Sequence, residues 1–183
     1  MPTILAISGS PSATSRTERL VELLAGRLAG GGHQVRALSI RDVPPDALLG
    51  ADPAHPAIVA VADALAAADG LLVATPVYKA SYSGALKALL DLLPQYALAG
   101  KVVLPLATGG TLAHVLAIDY AMRPVLNAMG AAHIVPGYFL LDQLILTGAD
   151  GATVVEATAA PALHAVVDTF AAALAPRALP IAA

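Results

Sequence analysis

Short runs of β-branched and leucine residues alternate along the chain with longer windows rich in alanine and leucine. Runs at residues 3–8, 34–38, 70–74 and 102–107 predict strands, and residues 133–138 offer a fifth. Helical windows fall at about residues 17–29, 56–67, 83–93, 112–129 and 153–174. Nearly continuous apolar strands interleaved with helices predict an α/β fold, a doubly wound five-stranded parallel sheet covered by helices on both faces. No repeat or low-complexity linker interrupts the pattern. Residues 1–175 therefore read as one domain and residues 176–183 as a C-terminal tail.

Local chemistry marks several boundaries. Ser15-Arg16-Thr17-Glu18 reads as a capping box, a serine N-cap with a glutamate three residues on, each satisfying an orphan backbone donor. Gly30-Gly31-Gly32 can supply the left-handed conformation that ends the first helix. Pro44-Pro45 and Asp52-Pro53 mark a loop before the second. Lys87 and Asp91 stand four apart on the third helix, opposite a stripe of Leu86, Leu89, Leu90 and Leu93.

Composition narrows the function. The chain has no cysteine, which excludes disulfides, thiolate metal sites and cysteine nucleophiles. A net charge of −3 without a Lys/Arg cluster gives no footprint for nucleic acid. Of its residues 57% are apolar and 13% charged, yet much of the excess is alanine, and no uninterrupted apolar stretch is long enough to span a bilayer. No membrane association is expected. The opening MPTILAISGS lacks a basic segment before a long apolar run, so a cytoplasmic location is expected. The scarcity of charge fits apolar surface covered by another subunit; scattered exposed alanines account for it equally.

In an open parallel sheet, ligands bind beyond the carboxyl ends of the strands, where strand order reverses. For the flavodoxin-like order 2-1-3-4-5 that point lies between the first and third strands, which singles out loops 9–17, 75–83 and 108–111. The first, GSPSATSRT, offers the hydroxyls of Ser10, Ser12, Thr14, Ser15 and Thr17 and the charge of Arg16 at a helix N-terminus, a setting suited to a phosphate monoester. It lacks the spacing of a Rossmann or Walker loop, and its residues alone fit an ordinary capped helix equally well. The second, Thr75-Pro76-Val77-Tyr78-Lys79, is stiffened by proline and suits a planar heteroaromatic ring, although Tyr78 also reads as packing and Lys79 as a solvated charge. In the third, Thr108-Gly109-Gly110-Thr111, paired glycines let backbone N–H groups approach an electron-rich ring edge; a tight strand-to-helix turn needs the same residues. The convergence of all three on one sheet edge weighs more than any one alone.

Three segments carry a family resemblance: GSPSATSRT, ADGLLVATPVYKASYSGALKALLDLLP and GKVVLPLATGGTLAHVLAIDYAMRPVL. They resemble the NADPH-dependent FMN reductases, specifically the reductase of two-component alkanesulfonate monooxygenase systems, over roughly residues 3–140. The resemblance implies a flavodoxin-like fold, a homotetramer built as a dimer of dimers, and FMN treated largely as a substrate that is reduced and released to a flavin-dependent monooxygenase. NADPH is the implied donor, with NADH possible. Ser10, Ser15, Arg16 and Thr17 are implied to hold the FMN phosphate, with Pro11 in the same cofactor-binding set. Pro76, Val77, Tyr78 and Lys79 are implied to line the flavin, and Thr108, Gly109, Gly110 and Thr111 its ring edge. Direct hydride transfer requires no side-chain acid or base, so no catalytic residue and no metal is expected.

The family also implies a π-helical irregularity at Tyr120, on the interface between subunits, and the sequence supplies a physical reason: Pro124 cannot donate to the Tyr120 carbonyl. Tyr120 is expected to reach the neighbouring subunit's loop near Ala80, or simply to pack at an interface beside a proline kink. His114 is expected near the site, against flavin or nicotinamide or at a subunit contact, while His33, His55, His133 and His164 show no ligand spacing. Asp69 and Asp119 read as structural. The chain departs from the family at Ser12, where relatives often carry a basic residue, so the phosphate grip falls more on Arg16. Two other readings share the fold: an electron carrier with retained FMN, and a quinone or azo-dye reductase with tightly held FMN. Carriers are typically strongly acidic, and −3 provides little such field.

Overall fold

The computed structural model describes residues 1–174; the expected tail at 176–183 lies outside the described residues. Strands β1 (Thr3–Ser8), β2 (Gln34–Ser39), β3 (Gly70–Tyr78), β4 (Ser81–Tyr82), β5 (Val102–Gly109), β6 (His133–Ile134) and β7 (Tyr138–Leu141) form one sheet. Its order is β2-β1-β3-β5-β6, all parallel along that path, with β4 an antiparallel partner of β3 and β7 a second parallel partner of β5. The expected flavodoxin-like arrangement is thus present, with its fifth place filled in two pieces.

Alternate strand residues feed two cores. Leu5, Ile7, Leu71, Val73 and Val103 face one side, under helices α3 (Pro56–Ala66) and α4 (Gly84–Leu92). Ile4, Ala6, Leu72, Ala74, Leu104 and Leu106 face the other, under α1 (Arg16–Gly30) and α6 (Ala160–Leu174). The first is completed by α2 (Pro45–Leu49) and α5 (Arg123–Ala128) through Ala47 and Leu126. Burial on both faces explains why these strands read as apolar runs rather than alternating ones.

The structure corrects several element boundaries. The fifth strand breaks at Val135-Pro136-Gly137: Val103 pairs with Ile134 but Leu106 with Tyr138, leaving one extra residue on the outer strand. The window at 112–129 is not one α-helix but a 3₁₀ turn (Leu112–His114), a π turn (Ile118–Met122) and then α5. The window at 153–174 opens as β9 (Thr153–Val155), which pairs antiparallel with β8 (Ile145–Thr147) before α6 begins. The Pro44-Pro45 loop contains α2, with Pro45 at the start of a helix, where its missing N–H costs nothing. The Ser15 capping box is half made: Ser15 Oγ accepts from Glu18 N at 3.0 Å, while the Glu18 carboxylate turns to Arg41 at 3.5 Å. Beyond α1, Gly32 takes the left-handed conformation, φ 91°.

Candidate active site

The carboxyl ends of β1, β3 and β5 meet above the sheet, and short hydrogen bonds lock their loops together. Gly9 N donates to Ala74 O at 2.7 Å, and Ser83 Oγ donates to Gly9 O. Ser83 N in turn donates to Thr75 Oγ1 at 2.9 Å. Position 9 must be glycine, because a Cβ there would stand 2.8 Å from Leu86 Cβ. On the far side, Thr17 Oγ1 of α1 and Thr108 Oγ1 of β5 share a buried 2.6 Å hydrogen bond. The first and third predicted loops are therefore tied directly, and the second is tied to the first.

Between them lies a cleft of about 480 Å³, a size usual for small-ligand sites. Ser10, Ser12, Thr14, Ser15, Arg16 and Thr17 line its polar end, Pro76, Val77 and Tyr78 one wall, and Thr108, Gly109 and Gly110 another. Arg19 and Asp142 also line it; neither was singled out from sequence. Arg19 lies one turn beyond Arg16 on the same helix, so helical spacing could have found it. Asp142 could not be found that way, because it arrives from beyond β7, past the reach of the loop argument.

The donor set fits a phosphate-bearing planar ring. The first-turn amides of α1 precede its internal hydrogen-bond ladder, with the positive end of the helix dipole behind them. Ser10, Ser15 and Thr17 are buried, so their hydroxyls are held in place rather than solvated. On the opposite wall, open space stands where a Cβ at Gly110 would be, allowing close backbone approach. At Gly109 a Cβ would meet the Phe139 ring at 2.9 Å, so that glycine is required by packing from below. Behind the wall, burial holds the Tyr82 hydroxyl above the ordinary tyrosine range, with nearby Lys87 opposing.

The remaining expected residues lie around the cleft rather than in its lining. Pro11 borders a neighbouring apolar groove with Ile40, Val43 and Leu48. Lys79 and Ala80 form the two-residue turn between β3 and β4, both left-handed at φ 50° and 62°. Thr111 caps the 3₁₀ turn, its Oγ1 accepting from Ala113 N at 3.3 Å, and His114 closes that turn. Tyr120 stands in the π turn and is 78% exposed, beside exposed Leu112, Val115 and Leu116. Asp69 accepts from Thr3 N and Asp119 pairs with Arg123, both structural. Among the described residues no cluster of potential metal ligands occurs, and no helix is long and apolar enough to cross a membrane.

The family model for NADPH-dependent FMN reductase matches residues 2–144. A protein of Escherichia coli (strain K12) named FMN reductase (NADPH) is 50% identical over 143 residues, 78% of this chain and 75% of its own. A protein of the same name from Pseudomonas putida (strain KT2440) is 46% identical over 181 residues, 98% of this chain and 91% of its own. Among solved structures, the apo form of an NADH:FMN oxidoreductase (EMOB) superposes with a TM-score of 0.86 at 45% identity, covering 97% of this chain and 92% of that one.

Proposed function

The chain belongs to the NADPH-dependent FMN reductase family, and from that premise we propose that it reduces FMN with a nicotinamide nucleotide and releases the product to a separate monooxygenase. One observation carries the reading: a single cleft joins a hydroxyl- and arginine-bearing helix N-terminus to a proline–tyrosine wall and a glycine-lined edge. When bound, FMN supplies the redox chemistry, taking hydride at N5 from nicotinamide C4. Everything else falls to the chain. Ser10, Ser15, Arg16 and Thr17 would bind the phosphate, with Ser12, Thr14 and Arg19 bordering it, and Pro11 shapes the loop from the neighbouring groove. Pro76, Val77 and Tyr78 support the ring, and Lys79 holds the turn at its margin. Backbone N–H groups of the segment from Thr108 to Thr111 face the ring's polar edge. A direct hydride transfer would need no side-chain proton donor from the chain.

Residues 1–175 serve as one domain in the cytoplasm, and the functional unit is a dimer of dimers. Support comes from the apolar surface at Leu112, Val115, Leu116 and Tyr120, which lies beside the cleft and suits a second copy of the chain. There Tyr120 meets the partner's loop near Ala80, with His114 at the same contact. NADPH is the donor, with NADH as the alternative. An alkanesulfonate-type monooxygenase is the recipient, in keeping with the resemblance of the three loop segments.

Oxidation of NADPH at 340 nm by dialysed protein, with and without added FMN, tests the reading. Turnover that rises steeply with free FMN is expected. Retained yellow FMN with negligible turnover would replace the reductase by an electron carrier, and ping-pong kinetics with an organic acceptor would indicate a quinone or azo-dye reductase.

A further inference from the structure

The polar end of the cleft contains a charge that a phosphate site does not need. Beside the hydroxyls stand two arginines, Arg16 and Arg19, and one carboxylate, Asp142. Asp142 opens the 3₁₀ turn Asp142–Leu144, which follows β7 directly. Its Oδ2 lies 3.5 Å from Arg16 Nη1, while Arg19 Nη1 donates to Thr147 Oγ1 at 2.7 Å. Both guanidinium groups are thus engaged by one short segment that crosses the N-terminus of α1. A phosphate arriving at the hydroxyls finds Arg16 already paired with a carboxylate.

Building on the FMN-binding reading above, we propose that Asp142 competes with the FMN phosphate for Arg16 and so keeps flavin retention weak. A carboxylate in place of the phosphate lets the empty site keep Arg16 positioned without an uncompensated charge. The same carboxylate favours release of the reduced product, which carries the same phosphate. The Arg16 and Asp142 side chains are 49% and 38% exposed, so water and salt moderate the effect. About a fivefold change in affinity is the size expected for one half-exposed charge a few ångströms from another.

The variant Asp142→Asn keeps shape and removes charge; its pairing with Arg16 is half-exposed, so losing it costs the fold little. Binding of FMN and of riboflavin, which lacks the phosphate, is followed by quenching of flavin fluorescence, without turnover. The expected result is an FMN Kd about fivefold lower in D142N at low salt, a difference that shrinks as salt rises, and an unchanged riboflavin Kd. Asp142→Ser should tighten FMN in the same direction. An FMN Kd that is unchanged or higher overturns the proposal, as does an equal shift for riboflavin. Failure of the unmodified chain to bind FMN at all would sink the functional reading and this inference together. Normal FMN binding with no response to D142N sinks this inference alone.

Discussion

Ser83 joins three parts of the site through one residue. Its Oγ donates to Gly9 O and accepts from Leu86 N at 3.1 Å, capping α4, while its N–H donates to Thr75 Oγ1. Replacing Ser83 with Ala removes the cap and leaves a buried carbonyl without its donor. A loss of roughly 2 kcal/mol is expected, read as a lower urea midpoint with the slope unchanged. Thr17→Val should cost about 1–2 kcal/mol by orphaning the buried Thr108 hydroxyl, and should also loosen the polar end of the cleft, raising the Kd for FMN. At this scale, residues whose placement follows from local chemistry were legible in the sequence: the hydroxyl-rich loop, the Ser15 cap and the paired glycines at the end of β5. Asp142 was not, because nothing near it in sequence says that its turn folds back over α1.

At the scale of elements, the errors share a cause. Periodicity senses the buried side of a segment but not the hydrogen-bond ladder within it. The window at 112–129 keeps an apolar stripe through Ile118, Met122 and Leu126, so it reads as one helix. Yet Arg123 N–H donates to Ile118 O, five residues back, and Pro124 donates nothing to Tyr120. Residues 153–155 likewise pass for helix until β8 is available to pair with them. The β3–β4 turn shows a different conflict. A two-residue hairpin with both central residues left-handed favours Asn-Gly, and this chain places Lys79-Ala80 there. Ala80→Gly should therefore stabilise the free protein by about 1 kcal/mol, seen as a higher thermal midpoint. An unchanged or lower midpoint would mean that the turn carries little strain.

At the scale of the whole molecule, the topology was legible because both sheet faces are covered, which leaves long apolar strands spaced by helices. The α6 cover is tight where it meets the sheet: a Cβ on Gly70 would lie 2.9 Å from Phe170, itself fully buried. Phe170→Ala should cost about 3–5 kcal/mol, lowering the denaturation midpoint without altering cleft chemistry. Assembly belongs to this scale as well. If the apolar surface at Tyr120 joins copies of the chain, Tyr120→Ala should elute as a smaller species and change flavin affinity. An unchanged elution volume, affinity and turnover would remove Tyr120 from both roles. The return of residues 142–147 to α1 also bears on how the protein is made. The loop that opens the cleft leaves the ribosome more than a hundred residues before its last neighbours, Asp142 and Thr147. The growing chain can assemble β1, α1 and β2 early, but the polar end of the cleft stays unfinished until residues 142–147 have emerged.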